Sequence, residues 1–291
     1  MKITKHNKQY TNNIQIPMHN GKNVSLFIRS LYIVCNLLLV FCILGFNDFT
    51  YALSINIDPS NIKLVMKPGE VKTGEILVQN LGGTKLKIMA YTQDWIYAPD
   101  GSKTFMKPGS SVYSCSSWIK LDPINFILAP KEDKKVKYTI TSPSNASGGH
   151  VSVIFFEAVM DAYQGIAVSG RLGSIVYLDT EGDIKRAGEI KNLSVLASEE
   201  GYPVSLNFSF VNSGNSYISA KPSIKVLDGS KTIIEKQAMN INSLPGDTKS
   251  TTVTLKEPLK EGKYKAQVEL TFDNKSLKSQ FEFTIRKSAQ K

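Results

Sequence analysis

Histidine and cysteine are scarce in this chain of 291 residues, with three of each: His6, His19 and His150, and Cys35, Cys42 and Cys115. Once a leader of residues 1–52 is removed, one His and one Cys remain. A multi-histidine zinc site, a four-cysteine metal site and an intrachain disulfide are then excluded. A Ser-His-Asp triad would rest on His150 alone. The sequence also lacks a Gly-x-Ser-x-Gly elbow, a phosphate-binding glycine loop and a calcium loop of EF-hand spacing. The expectation is a protein that is not an enzyme and uses no cofactor and no metal. One enzyme reading stays open: a hydrolase built on His150 or on a cluster of Asp94, Asp100, Asp122 and Asp161. Without a disulfide, an exported fold must rest on packing.

Acid is absent from residues 1–29, which carry Lys2, Lys5, Lys8, Lys22 and Arg29. A 16-residue apolar run, Leu31–Phe46, follows, and Thr50-Tyr51-Ala52 offers a small residue before a cut. Basic, apolar, then small is the order of a secretory signal. The run is shorter than the ~20 apolar residues a transmembrane helix needs. Residues 1–52 therefore read as a signal peptide, with Met18 as an alternative start and an uncleaved anchor at residues 31–46 as the other reading. A lipid on Cys42 is disfavoured by the bulky Phe41 before it. The expected location is outside the cytoplasm, in the periplasm or envelope of a bacterium.

The whole chain carries a formal charge of +10. After removal of the leader, thirty basic residues face twenty-four acidic ones, a charge of +6. The lysines are dispersed among acids with no basic block interleaved with aromatics, so no nucleic-acid partner is expected.

What the chain has is alternation. From Leu53 onward short runs with period two are cut by turn residues every 8–12 positions, the pattern of sandwiches and barrels. Runs read as strands are Glu75–Gln79, Leu86–Tyr91, Lys135–Thr141 and Val151–Phe156 in the first half. In the second they are Val204–Phe210, Ser223–Leu227, Ser250–Leu255, Tyr264–Leu270 and Gln280–Ile285. In Lys135–Thr141, Val136, Tyr138 and Ile140 alternate with polar neighbours. Pro-Gly pairs at 68–69, 108–109 and 245–246 place a fixed φ before a residue that accepts positive φ, as a tight turn requires.

The halves also repeat each other. Asn80-Leu-Gly82 matches Asn212-Ser-Gly214, and Leu128-Ala-Pro130 matches Leu244-Pro245. The two offsets, 132 and 115 residues, require loops of different length. The fold class is all-β: two tandem Ig-like sandwiches, residues 53–182 and 183–286, joined near Glu181–Gly188 and followed by a basic tail, 287–291. Trp95 and Trp118 read as core packing, and His150, beside Gly148-Gly149, as an exposed loop residue.

Four segments within residues 53–180 resemble the PapD-like periplasmic chaperones of pilus assembly. Tyr91-Thr-Gln-Asp-Trp-Ile96 is similar to a Gln-x-Trp strand end. Pro123–Pro130 before the strand 135–141 is similar to a Phe-x-Leu-x-Pro segment. Val151–Glu157 resembles the buried penultimate strand, and Gly165–Tyr177 the last strand. The stretch between Trp95 and Trp118 is longer than the resemblance implies, and the second half matches it less well.

That resemblance implies a non-enzymatic chaperone whose open strand edge at Gly165–Tyr177 accepts a strand from a secreted pilin-like or surface subunit. Ile166, Val168 and Leu172 would face the partner's open core. Lys63 and Arg171 would meet its terminal carboxylate in the cleft between the sandwiches. The other function class compatible with the sequence is a structural or adhesive tandem Ig-like module of the envelope. On that reading Arg171 is a salt-bridged or solvated edge charge.

Overall fold

The computed structural model describes residues 29, 31–36, 53–98, 100–161, 167–196 and 203–287. The chain divides into two compact units, Met1–Thr50 and Tyr51–Lys291. In the first, residues 31–36 are helical and exposed. No helix among the described residues is long and apolar enough to cross a membrane. The rest of the leader, with Cys42 and the cut after Ala52, lies outside the described residues, as do Ile166 and residues 288–291 of the tail.

The second unit is built from strands. Its first sandwich holds β1 (Ile55–Asp58), β2 (Asn61–Met66), β3 (Val71–Asn80), β4 (Leu86–Tyr97), β5 (Lys103–Met106), β6 (Ile119–Asp122), β7 (Asn125–Leu128), β8 (Asp133–Thr141), β9 (Gly149–Asp161) and β10 (Ala167–Thr180). One sheet has the order β1-β3-β8-β6; the other has the order β2-β10-β9-β4-β5, with β7 also on β4. Between them lies a core that includes Met66, Ile76, Leu86, Leu128, Ile140 and Phe156, all fully buried. The expected alternation holds in β8, where Val136, Tyr138 and Ile140 face this core and Lys135 and Lys137 face water.

The second sandwich holds β11 (Gly188–Leu196), β12 (Ser205–Asn212), β13 (Ile218–Asp228), β14 (Lys231–Gln237), β15 (Ile241–Ser243), β16 (Thr248–Thr254), β17 (Gly262–Phe272) and β18 (Lys275–Ile285). A sheet β11-β12-β16 packs on a sheet β14-β13-β17-β18, with β15 also on β13. Its own core includes Phe208, Phe210, Ile224, Val268 and Leu270.

Strands β4 and β9 run longer than the alternation suggests, because both faces of their shared region are buried. One face belongs to the first core. The other carries a second apolar cluster of Trp95, Val151, Val153 and Phe155, which Leu244 of the second sandwich joins. The Trp95 indole donates to the Ser152 carbonyl at 3.2 Å. Three of the Pro-Gly pairs form the expected turns. Gly69, Gly109 and Gly246 have φ of 79°, 80° and 80°. The closing N–H of Glu70, Ser110 and Asp247 donates to Lys67, Lys107 and Leu244 at 3.1, 3.2 and 3.1 Å.

The internal repeat has a shared architecture. Asn80 ends β3 and Asn212 ends β12, each at most 1% exposed. The Asn80 amide donates to the carbonyls of Thr84 at 2.7 Å and Ala129 at 2.9 Å, and its Oδ1 accepts from Gly82 N–H at 2.9 Å. The Asn212 amide donates to Ser216 at 3.0 Å and Ser243 at 3.2 Å, and its Oδ1 accepts from Gly214 N–H at 3.0 Å. The backbones match too: Asn80 N–H donates to Glu132 and Asn212 N–H to Asp247. The unequal offsets come from an insertion in the first sandwich, the β5 hairpin and the loop after it.

The sandwiches meet at the Gly148-Gly149 turn. Gly149 N–H donates to the Asn215 carbonyl at 2.7 Å, and Gly148 N–H to the Asp183 carboxylate at 2.9 Å. A methyl on Gly149 would lie 2.7 Å from Ser216 Cα, a backbone atom with no room to move. Gly149→Ala is therefore expected to cost about 2 kcal/mol by overpacking. Urea unfolding checks this, and a variant within 0.5 kcal/mol of the parent would show that the contact yields. His150 follows on β9 and is a half-buried strand residue, not the exposed loop residue the glycines suggest. Its ring lies 4.4 Å from Trp118, its Nε2 is 3.0 Å from the Ser147 carbonyl, and burial holds its pKa below the usual value.

Candidate protein-binding edge and cleft

The candidate edge follows from where the first strand leaves the sheet. β1 pairs with β3 in one sheet. The chain then crosses at Pro59, and β2 joins the other sheet in parallel with β10, from Asn61 opposite Ile175 to Met66 opposite Thr180. On its other side β10 pairs with β9 from Ala167 to Asp179, with no register shift. The expected open border at Gly165–Tyr177 is thus only partly open. Ile175–Tyr177 is sealed by β2. Ala167–Ser174 has no second strand among the described residues.

Which backbone groups face outward can be worked out. Ile175 N–H donates to the Ser60 carbonyl on the β2 side at 3.0 Å. Alternate residues of a strand direct their backbone groups to the same side. The N–H and C=O of Ala167, Ser169, Arg171 and Gly173 therefore point to the open side, and those of Val168, Gly170 and Leu172 to β9.

The side chains divide the other way. Val168, Gly170 and Leu172 lie opposite Met160, Ala158 and Phe156, all members of the first core. Leu172 is partly buried and packs against that core. Val168 is 38% exposed, an apolar side chain of this edge left to water. Leu53 lies over Gly170, within 2.8 Å of where a Cβ would stand.

Arg171 projects to the opposite face. Its guanidinium lies 4.3 Å from the Phe155 ring centre and 5.5 Å from Phe105, and donates to Tyr91 Oη at 3.3 Å. It clamps the β5 hairpin onto the sheet. Lys63 is exposed on β2 opposite Tyr177. Six positions of β10 separate that point from Arg171, about 20 Å of strand. The structure does not bring Lys63 and Arg171 together.

Lys63 does line a cleft of about 480 Å³ between the sandwiches, with His150, Tyr177, Arg186, Tyr217 and Lys221 among its walls. Arg186 and Lys221 are cations of this cleft that the strand pattern does not single out. Arg186 stands in the linker, which the sequence does locate. It is ion-paired with Asp179 and, at 3.4 Å, with Asp273, and donates to the Tyr217 carbonyl at 3.2 Å. Tyr177 and Tyr217 rings lie 4.4 Å apart, and burial pushes the Tyr177 hydroxyl well above its usual pKa.

The acids considered for a hydrolase are dispersed. Asp94 is fully buried, Asp100 holds the Ser102 turn at the surface, Asp122 ends β6 and Asp161 ends β9. No group of three or more His, Cys, Asp or Glu placed to hold a metal occurs among the described residues.

No protein-family model and no curated protein matches the sequence. Solved structures do resemble it. The class 5 fimbriae chaperone CfaA is 16% identical, with a TM-score of 0.47 over 78% of this chain and 98% of that one. A chaperone–tip adhesin complex of CFA/I fimbriae biogenesis is 16% identical, with a TM-score of 0.43 over 79% and 98%. The CsuC–CsuE chaperone–tip adhesion subunit complex of the archaic Csu pili of Acinetobacter baumannii is 12% identical, with a TM-score of 0.41 over 81% and 100%. Each of these likenesses is at low identity and at a TM-score below 0.5.

Proposed function

We propose that this is an exported, non-enzymatic, chaperone-like protein that holds secreted subunits by adding one of their strands to the open half of β10. The observation that carries the reading is the change in pairing along one strand. β10 has two neighbours from Ile175 to Asp179 and one from Ala167 to Ser174. An unpaired row of N–H and C=O groups beside exposed apolar surface is a template for a further strand. The partner is a secreted pilus or surface subunit, as the sequence resemblance implies. Val168 offers it the 38% of its surface left exposed, and Leu172 the part not already packed on the first core. Lys63, an exposed residue of the cleft lining beside Lys221, is a cation available to a terminal carboxylate. Export rests on the leader pattern of residues 1–52.

The outward direction of Ser169 supplies the test. Proline is tolerated on an edge strand where its missing N–H faces solvent. Ser169→Pro should keep the β9 pairing and the unfolding midpoint while removing one donor and obstructing the partner's approach. Co-purification of a secreted subunit from the producing cells should fall by about 100-fold, as loss of several edge hydrogen bonds implies. Leu172→Asp should do the same through the apolar side. If both variants fold and both retain the subunit, pairing at this edge is the wrong reading.

A further inference from the structure

A second strand edge, on the other sandwich, has a pattern that fits itself. β18 (Lys275–Ile285) is an outermost strand. All eleven of its residues pair with β17, and its other side has no backbone partner among the described residues. Near its middle Phe281 is 39% exposed, and a shallow depression is lined by Gln267, Lys278, Ser279 and Gln280.

We propose that β18 pairs antiparallel with β18 of a second copy of this chain, about a two-fold axis at Gln280. That register sets Lys278 opposite Glu282 of the other copy, twice. Each already has a partner within its own sheet: Lys278 is 3.5 Å from Glu269, and Glu282 is 3.8 Å from Lys265. Pairing extends these into a row of alternating sign across four strands, Glu269, Lys278, Glu282 and Lys265, the last two from the other copy. Cross-strand neighbours of opposite charge stabilise a sheet, and like charges oppose it.

The inward face agrees with the same register. It places Phe281 opposite Ser279 and Leu277 opposite Phe283, a large side chain over a small one and apolar over apolar. Moving the axis to Lys278 would set that lysine against itself. An axis at Phe281 would set the two exposed rings against each other and leave Lys278 opposite Thr284. An isolated lysine on an edge discourages association; Glu282, four residues on, makes this edge self-complementary. On the β14 edge Lys236 is engaged with the Thr254 carbonyl at 2.6 Å. A two-fold pairing closes on itself and does not propagate into fibres.

Sedimentation velocity on the protein as its cells produce it, over about 1–100 µM, tests this. A dimer is expected. Lys278→Glu and Glu282→Lys should each weaken it at least about ten-fold, and the double exchange should restore it, since the charges then face each other again. Both residues are well exposed, so neither single change should unfold the sandwich. A monomer across the range, a double exchange that fails to restore the dimer, or a dimer broken by Val168→Lys but not by Lys278→Glu would overturn the proposal.

Discussion

Asn212→Ala is expected to lower unfolding free energy by about 4 kcal/mol, and Asn80→Ala by a similar amount. From a buried position each side chain ties its own turn to one distant segment through backbone groups. Truncation removes three hydrogen bonds at Asn212 and strands the buried carbonyls of Ser216 and Ser243; at Asn80 it removes four and strands the buried Leu128 carbonyl with the half-buried ones of Thr84 and Ala129. A buried polar group left unpaired costs about 1–3 kcal/mol, more than the net worth of the bond itself. Aspartate should not rescue either site, because a carboxylate offers those carbonyls no donor and brings a charge into the interior. The two variants can be told apart. Both tryptophans, Trp95 and Trp118, stand in the first sandwich. Indole fluorescence follows that sandwich, while far-ultraviolet circular dichroism follows both. Asn80→Ala should move the fluorescence transition directly, and Asn212→Ala the dichroism first. Either alanine variant within 1 kcal/mol of the parent would show that the two corners do not carry the load assigned to them.

Those corners also show what sequence pattern can reach. The Asn-x-Gly pairs were visible because a residue that caps its own turn must be followed two positions on by an N–H free to bond it, and glycine gives that turn room. The alternation in β8 and β12 was visible because each has one face buried. The alternation covers only part of β4 and β9 because Trp95, Val151, Val153 and Phe155 serve a second cluster, and a strand buried on both faces loses its period. The phase of β10 gave the faces of Val168, Leu172 and Arg171, but pairing partners are not local properties. That β2 closes Ile175–Tyr177, and that Arg171 is held over Phe155, depend on segments more than fifteen residues away. The position of His150 escapes the pattern for a related reason: the two glycines before it read as a free turn, yet they are small because the Asn215–Ser216 loop rests on them. Arg186 in the linker was not marked out because its partners, Asp179 and Asp273, are far apart in the chain.

The inserted loop that separates the two offsets has its own anchor, and its removal should have an effect as large. Asp94 is fully buried on β4 and accepts hydrogen bonds from Ser111 N–H at 2.9 Å and from the hydroxyls of Ser114 and Ser116, both at 2.6 Å. Ser152 Oγ lies 2.5 Å from Ser116 Oγ and 3.0 Å from the Gln93 carbonyl, and its single proton serves one or the other. The loop held this way buries Cys115, whose thiol is pushed far up in pKa by burial first and by Asp94 second. It also carries Tyr113, whose hydroxyl reaches the Pro245 carbonyl of the second sandwich at 3.1 Å. Asp94→Ala deprives three donors of their acceptor inside the protein and leaves a void beside Cys115. A loss of about 4 kcal/mol is expected, because bonds to a charged acceptor are roughly twice as strong as neutral ones. Asp94→Asn should cost less, about 1–2 kcal/mol, since the serine hydroxyls can rotate to meet an amide. Thiol labelling of Cys115 adds a local readout. It should be blocked in the parent, slow in Asp94→Asn and open in Asp94→Ala at denaturant levels where the sandwich still gives its native circular dichroism. Equal labelling of all three proteins would mean that the loop is held by its apolar contacts and that the buried carboxylate is incidental to it.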